Sequence, residues 1–129
     1  MPTEIVMLVL AALLAPVQIA LFSVFAIGQV GAGYAAGPRD EQKPIGGVAG
    51  RLQRALQNHL ETLPVFAIAV LVGEVEDAFT PVTAIAAQVY FWARVAYVPA
   101  YAFGIPWVRS LIWFVALAAI LIIFWQILA

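Results

Sequence analysis

The chain has 129 residues, of which 65% are hydrophobic and 10% charged, with a mean hydropathy of +1.02 and a formal charge of −1. Water-soluble domains are about 45–50% apolar and about 25% charged because their surface must be covered with polar groups, so this chain, one domain by length, is expected to be solvated mainly by lipid. Six basic against seven acidic residues supply no basic surface for nucleic acid, the lack of cysteine excludes disulfides and thiolate sites, and the single histidine, His59, excludes a multi-histidine metal site within one chain.

A membrane-spanning helix needs about 20 mostly apolar residues, and four stretches meet that length, giving an all-α integral membrane protein with a four-helix protomer as a single domain over residues 1–129. The first span, residues 5–30, carries no charge; Pro2-Thr3-Glu4 before it lacks the basic residues of a secretory signal, so an uncleaved helix is expected. Residues 31–46 are rich in Gly and Pro and hold Arg39, Asp40, Glu41 and Lys43, which marks a loop outside the hydrocarbon. The second span, residues 47–72, is polar in its first half and apolar from Leu63 onward. An acidic turn, Glu74-Val75-Glu76-Asp77, leads to the third span, residues 81–103, which opens with Pro at a tolerated position and contains Arg94. Gly104-Ile105-Pro106 links it to the fourth, residues 106–129, with Arg109 in its first turn. Arg39, Lys43, Arg51 and Arg54 gather at the first loop and Arg109 at the third, whereas the termini and the second loop have no Lys or Arg. The positive-inside rule places loops one and three in the cytoplasm and both termini outside.

The polar residues inside the spans fall on faces. Arg51, Arg54, Asn58 and Glu61 share an arc of roughly 80° on the second helix. Arg51 is placed to snorkel toward the headgroups, but Glu61 lies about 15 Å further in, where an unpaired carboxylate costs at least about 2.5–3.5 kcal/mol, so it must face protein. The third helix repeats the pattern with Tyr90, Arg94, Tyr97 and Tyr101. Counted from the cytoplasmic side, Arg94 matches Glu61 in depth, and the two are expected to pair. Arg51, Arg54, Arg94 and Arg109 against Glu61 leave surplus positive charge in one half of a small bundle, which predicts an anionic ligand. Asn58, the tyrosine hydroxyls and Ser110 add donors and acceptors, so the set complements a zwitterion: guanidiniums for carboxylates, Glu61 for an ammonium, Asn58 for an amide. Gln57 and His59 fall off this face and read as helix or subunit contacts. Thr3, Gln18, Gln29 and Gln88 carry no signal.

The run from Arg51 to Phe66, Arg-Leu-Gln-Arg-Ala-Leu-Gln-Asn-His-Leu-Glu-Thr-Leu-Pro-Val-Phe, resembles the signature segment of the MAPEG family, the membrane-associated proteins of eicosanoid and glutathione metabolism. Arg94-x-x-Tyr97-x-x-x-Tyr101 followed by Arg109-Ser110 is similar to the family's later helices. The resemblance implies a homotrimer of four-helix protomers, embedded among membrane lipids, with glutathione as cosubstrate held between subunits in the cytoplasmic half. It also implies glutathione contacts for Arg54, Asn58, Glu61, Tyr97, Tyr101 and Arg109, with Arg51 and Arg94 shaping the site. Arg109 would stabilise the thiolate, assisted by Ser110 and Tyr101, for attack on a lipophilic electrophile arriving through the bilayer. Gly50 stands where the family commonly has Glu, and Gln29-Val30 and Gly33-Tyr34 stand where several members carry an arginine, which removes one acidic partner and one ligand contact. The expected function is a glutathione transferase or peroxidase. The alternatives are a non-catalytic lipid-binding or scaffold member of the family, or a small proton-coupled exporter using Glu61. The expected location is a bacterial inner membrane.

Overall fold

A computed structural model describes residues 1–40 and 43–129, so the expected loop residue Glu41 lies outside the described residues. Four long helices pack together: α1 (Thr3–Val30), α3 (Gly47–Val75), α4 (Pro81–Ala102) and α5 (Pro106–Leu128), with a five-residue helix α2 (Ala32–Ala36) after the first. Of these, α1, α3 and α5 are long and apolar enough to cross a membrane. The 22 residues of α4 would reach about 33 Å, but Gln88, Arg94 and the three tyrosines lower its hydropathy.

Local chemistry sets the boundaries. Gly31, at φ +89°, ends α1 in a conformation that an L side chain resists, and α2 starts beyond it. The sequence reading leaves residues 31–46 as loop; the chain instead makes one helical turn between Gly31 and Gly37. Helix α4 starts at a reciprocal cap in which the Thr83 amide donates to Thr80 Oγ1 and the Thr80 amide donates to Thr83 Oγ1, with Pro81 at the first position. Helix α3 runs three residues past its expected end, to Val75, and turns through Asp77 at φ +51°.

Small residues let the helices approach closely. The core contains Ala11 of α1, Ala69 of α3, Ala86, Ala87 and Ala93 of α4 and Ala116 and Ala119 of α5, the composition expected where lipid supplies no hydrophobic drive and association relies on contact between backbones. Phe66 stacks on Tyr90 at 4.0 Å between ring centroids. The outward faces are large and apolar, with Leu13, Val17, Val24, Leu111, Phe114 and Leu121 all exposed.

Polar clasps hold both ends of the bundle. Gln29 spans the first loop, its amide donating to the Gly46 carbonyl at 2.6 Å and accepting from the Gly46 amide at 3.1 Å. At the opposite end, buried Thr83 Oγ1 donates to the carboxyl of buried Glu4 at 2.6 Å, and Thr80 Oγ1 donates to Gln126 at 3.0 Å, joining α1, α4 and α5. In mid-bundle the His59 ring is fully buried, and its Nε2–H donates to the Ala11 carbonyl at 2.9 Å, so this residue is a helix contact as the sequence reading expects.

The Glu4–Thr83 clasp makes a prediction. Thr83→Val preserves shape but removes both the donor to a buried carboxyl and the hydroxyl that accepts from the Thr80 amide in the α4 cap, and the carboxyl contact alone should account for about 1.5–3 kcal/mol of the lost stability. The same substitution made in a Glu4→Ala background should cost markedly less, as read by thermal unfolding in detergent.

Candidate functional site

Three helices converge on a cavity of about 510 Å³ at the end of the bundle where α4 turns into α5. Helix α3 contributes Arg54, Gln57, Asn58 and Glu61, α4 contributes Tyr97 and Tyr101, and α5 contributes Arg109, Ser110, Trp113 and Phe114. Six of the eight residues read from the sequence as ligand-contacting therefore line one space, as does Ser110. The remaining two, Arg51 and Arg94, do not line it.

Arg94 is 1% exposed and packed behind the cavity wall. Its expected partner is Glu61, but the structure gives it another: Nη1 donates to Asn58 Oδ1 at 2.8 Å. The depth estimate is right to within one turn, yet matching depth leaves the angle around the helix open, and Asn58 is the residue that turns toward α4. Asn58 thereby has its carbonyl oxygen occupied, and its Nδ2 group is left to donate. Arg94 also lies over the face of Tyr97, 4.5 Å from the ring centroid, within the range of a cation–π contact.

Arg51 turns away from the cavity of its own chain. Its Nε donates to the Ala102 carbonyl at 2.8 Å, at the C-terminal end of α4. At about 100° per residue, Arg51 sits at one edge of the predicted arc. The lining set of Arg54, Gln57, Asn58 and Glu61 centres about 30° away, which excludes Arg51 and admits Gln57. Gln57, expected as a helix or subunit contact, is thus a cavity residue.

Tyr101 is the joint of the site. Arg54 Nε donates to its hydroxyl at 3.2 Å, the Arg54 guanidinium lies 5.7 Å from its ring centroid, and that of Arg109 lies 4.6 Å from it. One α4 ring thus receives cations from α3 and from α5. The Tyr97 ring meets it edge-on at 5.5 Å. Two arginines and one glutamate line the cavity and a third arginine stands behind its wall, so the site carries a net positive charge, with hydroxyls and amides in reach. Trp113 and Phe114 give it an apolar side that the sequence reading missed, although their spacing from Arg109 and Ser110, four residues on, places all four on one stripe of α5.

If the Arg94 contact holds Asn58 in place, removing the acceptor should be felt. Asn58→Leu leaves a buried guanidinium without this hydrogen bond and should lower stability by about 1.5–3 kcal/mol. Asn58→Asp retains an acceptor at the same position and should unfold at or above the temperature of the unmodified protein in detergent.

The sequence model of the MAPEG family matches residues 4–129, from the first turn of α1 to the C-terminus. No curated protein matches the chain.

Proposed function

The chain belongs to the MAPEG family, membrane-associated proteins of eicosanoid and glutathione metabolism, and from that premise we propose that it binds glutathione in the α3–α4–α5 cavity and activates the thiol for attack on apolar electrophiles, as a transferase or peroxidase. The observation that carries the reading is the convergence of Arg54, Asn58, Glu61, Tyr97, Tyr101 and Arg109 on one cavity. These are the positions that match the family's glutathione contacts.

The donor set fits a peptide with two carboxylates, an ammonium and a thiol. Arg54 offers a planar fork for a carboxylate, the Glu61 carboxylate receives an ammonium, and the free Nδ2 of Asn58 donates to a peptide carbonyl. Arg109 then serves the sulfur. A free thiol has a pKa of about 8.5 and is largely protonated at neutral pH, and an adjacent cation lowers that value. The proton leaves the sulfur for water, the thiolate attacks the electrophilic carbon, and the leaving group departs with the bonding pair. For a peroxide, the thiolate attacks the terminal oxygen, the O–O bond breaks and the sulfur becomes a sulfenic acid. The alkoxide takes a proton and leaves as alcohol, and a second glutathione thiol converts the sulfenic acid to the disulfide and water. Ser110 and Tyr101 donate hydrogen bonds to the same region. Trp113 and Phe114 offer the apolar partner a surface beside the thiol.

The proposal includes a homotrimer in which all four long helices cross the membrane, with the α1–α3 and α4–α5 connections on the cytoplasmic side. Its support is the exposure of Arg54, Gln57 and Glu61 in the single chain. Glu61 lies about 21 Å along α3 from its start, too deep to face hydrocarbon without a cost of at least about 2.5–3.5 kcal/mol. A neighbouring copy would cover that face and complete the site.

Glutathione should raise the melting temperature in detergent, whereas a lipophilic cation should not. Arg54→Ala and Glu61→Ala should each weaken glutathione binding by about tenfold or more, the loss of one charge-assisted hydrogen bond. Stabilisation by the cation instead would point to Glu61 as a transport carboxylate. Ultraviolet titration of the bound thiolate separates activation from mere binding. Arg109→Ala should raise the midpoint of that titration by about 1–3 pH units, because the cation favouring the charged form is gone, while affinity falls only modestly. A bound thiol that titrates as it does in free solution would leave binding without catalysis, as in a scaffold or lipid-binding member.

A further inference from the structure

Arg51 does not line the α3–α4–α5 cavity, and its surroundings give it a different use. Its Nε is fixed on the Ala102 carbonyl at 2.8 Å and its side chain is half-buried. A carbonyl satisfies one N–H and cancels no charge, so both Nη groups keep their donors. Ala102 also lines a second cavity, of about 300 Å³, which runs between α1, α3 and α4. Its walls include Leu21 and Phe25 of α1, Leu52 of α3, Val98 of α4 and Phe103, and every lining residue is apolar.

The two features share an axis. Ala102 and Phe103 close α4 and Leu52 lies near the start of α3, so the cavity opens at the loop end of the bundle, beside Arg51. From there it runs inward: Leu21 is nine residues before the end of α1, roughly 14 Å deeper. A cation at the rim and an apolar trough leading toward the bilayer centre reproduce the order of a phospholipid, with charge at the interface and chain below.

We propose that this groove seats an anionic phospholipid, its phosphate held by the two Nη groups of Arg51 and one acyl chain lying along Phe25, Leu52 and Val98. The planar fork suits phosphate bidentately, and no acidic residue lines the groove to oppose it. The seat does not depend on the reading of the glutathione cavity, since Arg51 does not line that cavity and reaches the groove through its bond to Ala102.

The full chain in detergent, incubated with phosphatidylglycerol or with phosphatidylcholine of identical acyl chains, tests this by native mass spectrometry. Phosphatidylglycerol should be retained about fivefold more, the effect of one basic residue at a membrane surface. Arg51→Gln should bring its retention down to the phosphatidylcholine level. Val98→Trp, which fills the groove and leaves Arg51 in place, should lower retention of both lipids, with the mass of the intact assembly in the same spectra showing that the protein remains folded. Equal retention of the two lipids by the unmodified chain overturns the proposal, as does a preference that survives Arg51→Gln, retention unaffected by Val98→Trp, or a groove that a second copy covers so that neither lipid is held.

Discussion

Cations inside this bundle rest on aromatic faces, and the site depends on that choice. Arg94 lies over Tyr97, and Arg54 and Arg109 lie over Tyr101, all within 5.7 Å of a ring centroid. A carboxylate would hold a guanidinium more strongly and cancel its charge. A tyrosine ring holds it by its quadrupole, with an energy of about 0.5–2 kcal/mol, and leaves the charge in place. Helix α4 therefore works as a rack: its tyrosines fix where three arginines stand while preserving the positive potential of the cavity. Glu61 remains free of Arg94 because Asn58 takes that guanidinium, which leaves the carboxylate for the ammonium that the proposed function assigns to it.

Much of this was legible in the sequence, for a reason peculiar to membranes. Uncharged runs near 20 residues admit few readings, and the boundaries of α1, α4 and α5 fall within two residues of expectation. The break at Gly31 was legible too, but not the helical turn beyond it, because a five-residue Ala-Gly-Tyr-Ala-Ala segment between glycines has no periodicity to show. Depth was read well and azimuth poorly. Counting residues put Glu61 and Arg94 at one level; it could not say that Asn58, one turn away, would meet the arginine first. Selecting only charged residues also skewed the face of α3, since Arg51 widened the arc on the wrong side and Gln57, which is polar without charge, was set apart. The clasps made by Gln29 and by Glu4 with Thr83 join residues 17 and 79 positions apart, a pairing that no local pattern encodes.

The division between Arg51 and Arg54 follows from helical geometry and has a functional cost and benefit. Three residues apart, they diverge by about 60° around α3, enough for one to reach the Tyr101 hydroxyl in the α5-facing cavity and the other the Ala102 carbonyl on the α1-facing side. Both contacts land on the last turn of α4, and the wall between the two cavities is therefore a single turn of helix gripped from both sides. Anything that displaced this turn would move the Tyr101 ring, and with it the platform on which Arg109 sits. If the groove seats a lipid as proposed, an occupant that pressed Arg51 against Ala102 would steady that platform, and the two sides would communicate through one carbonyl and one phenol.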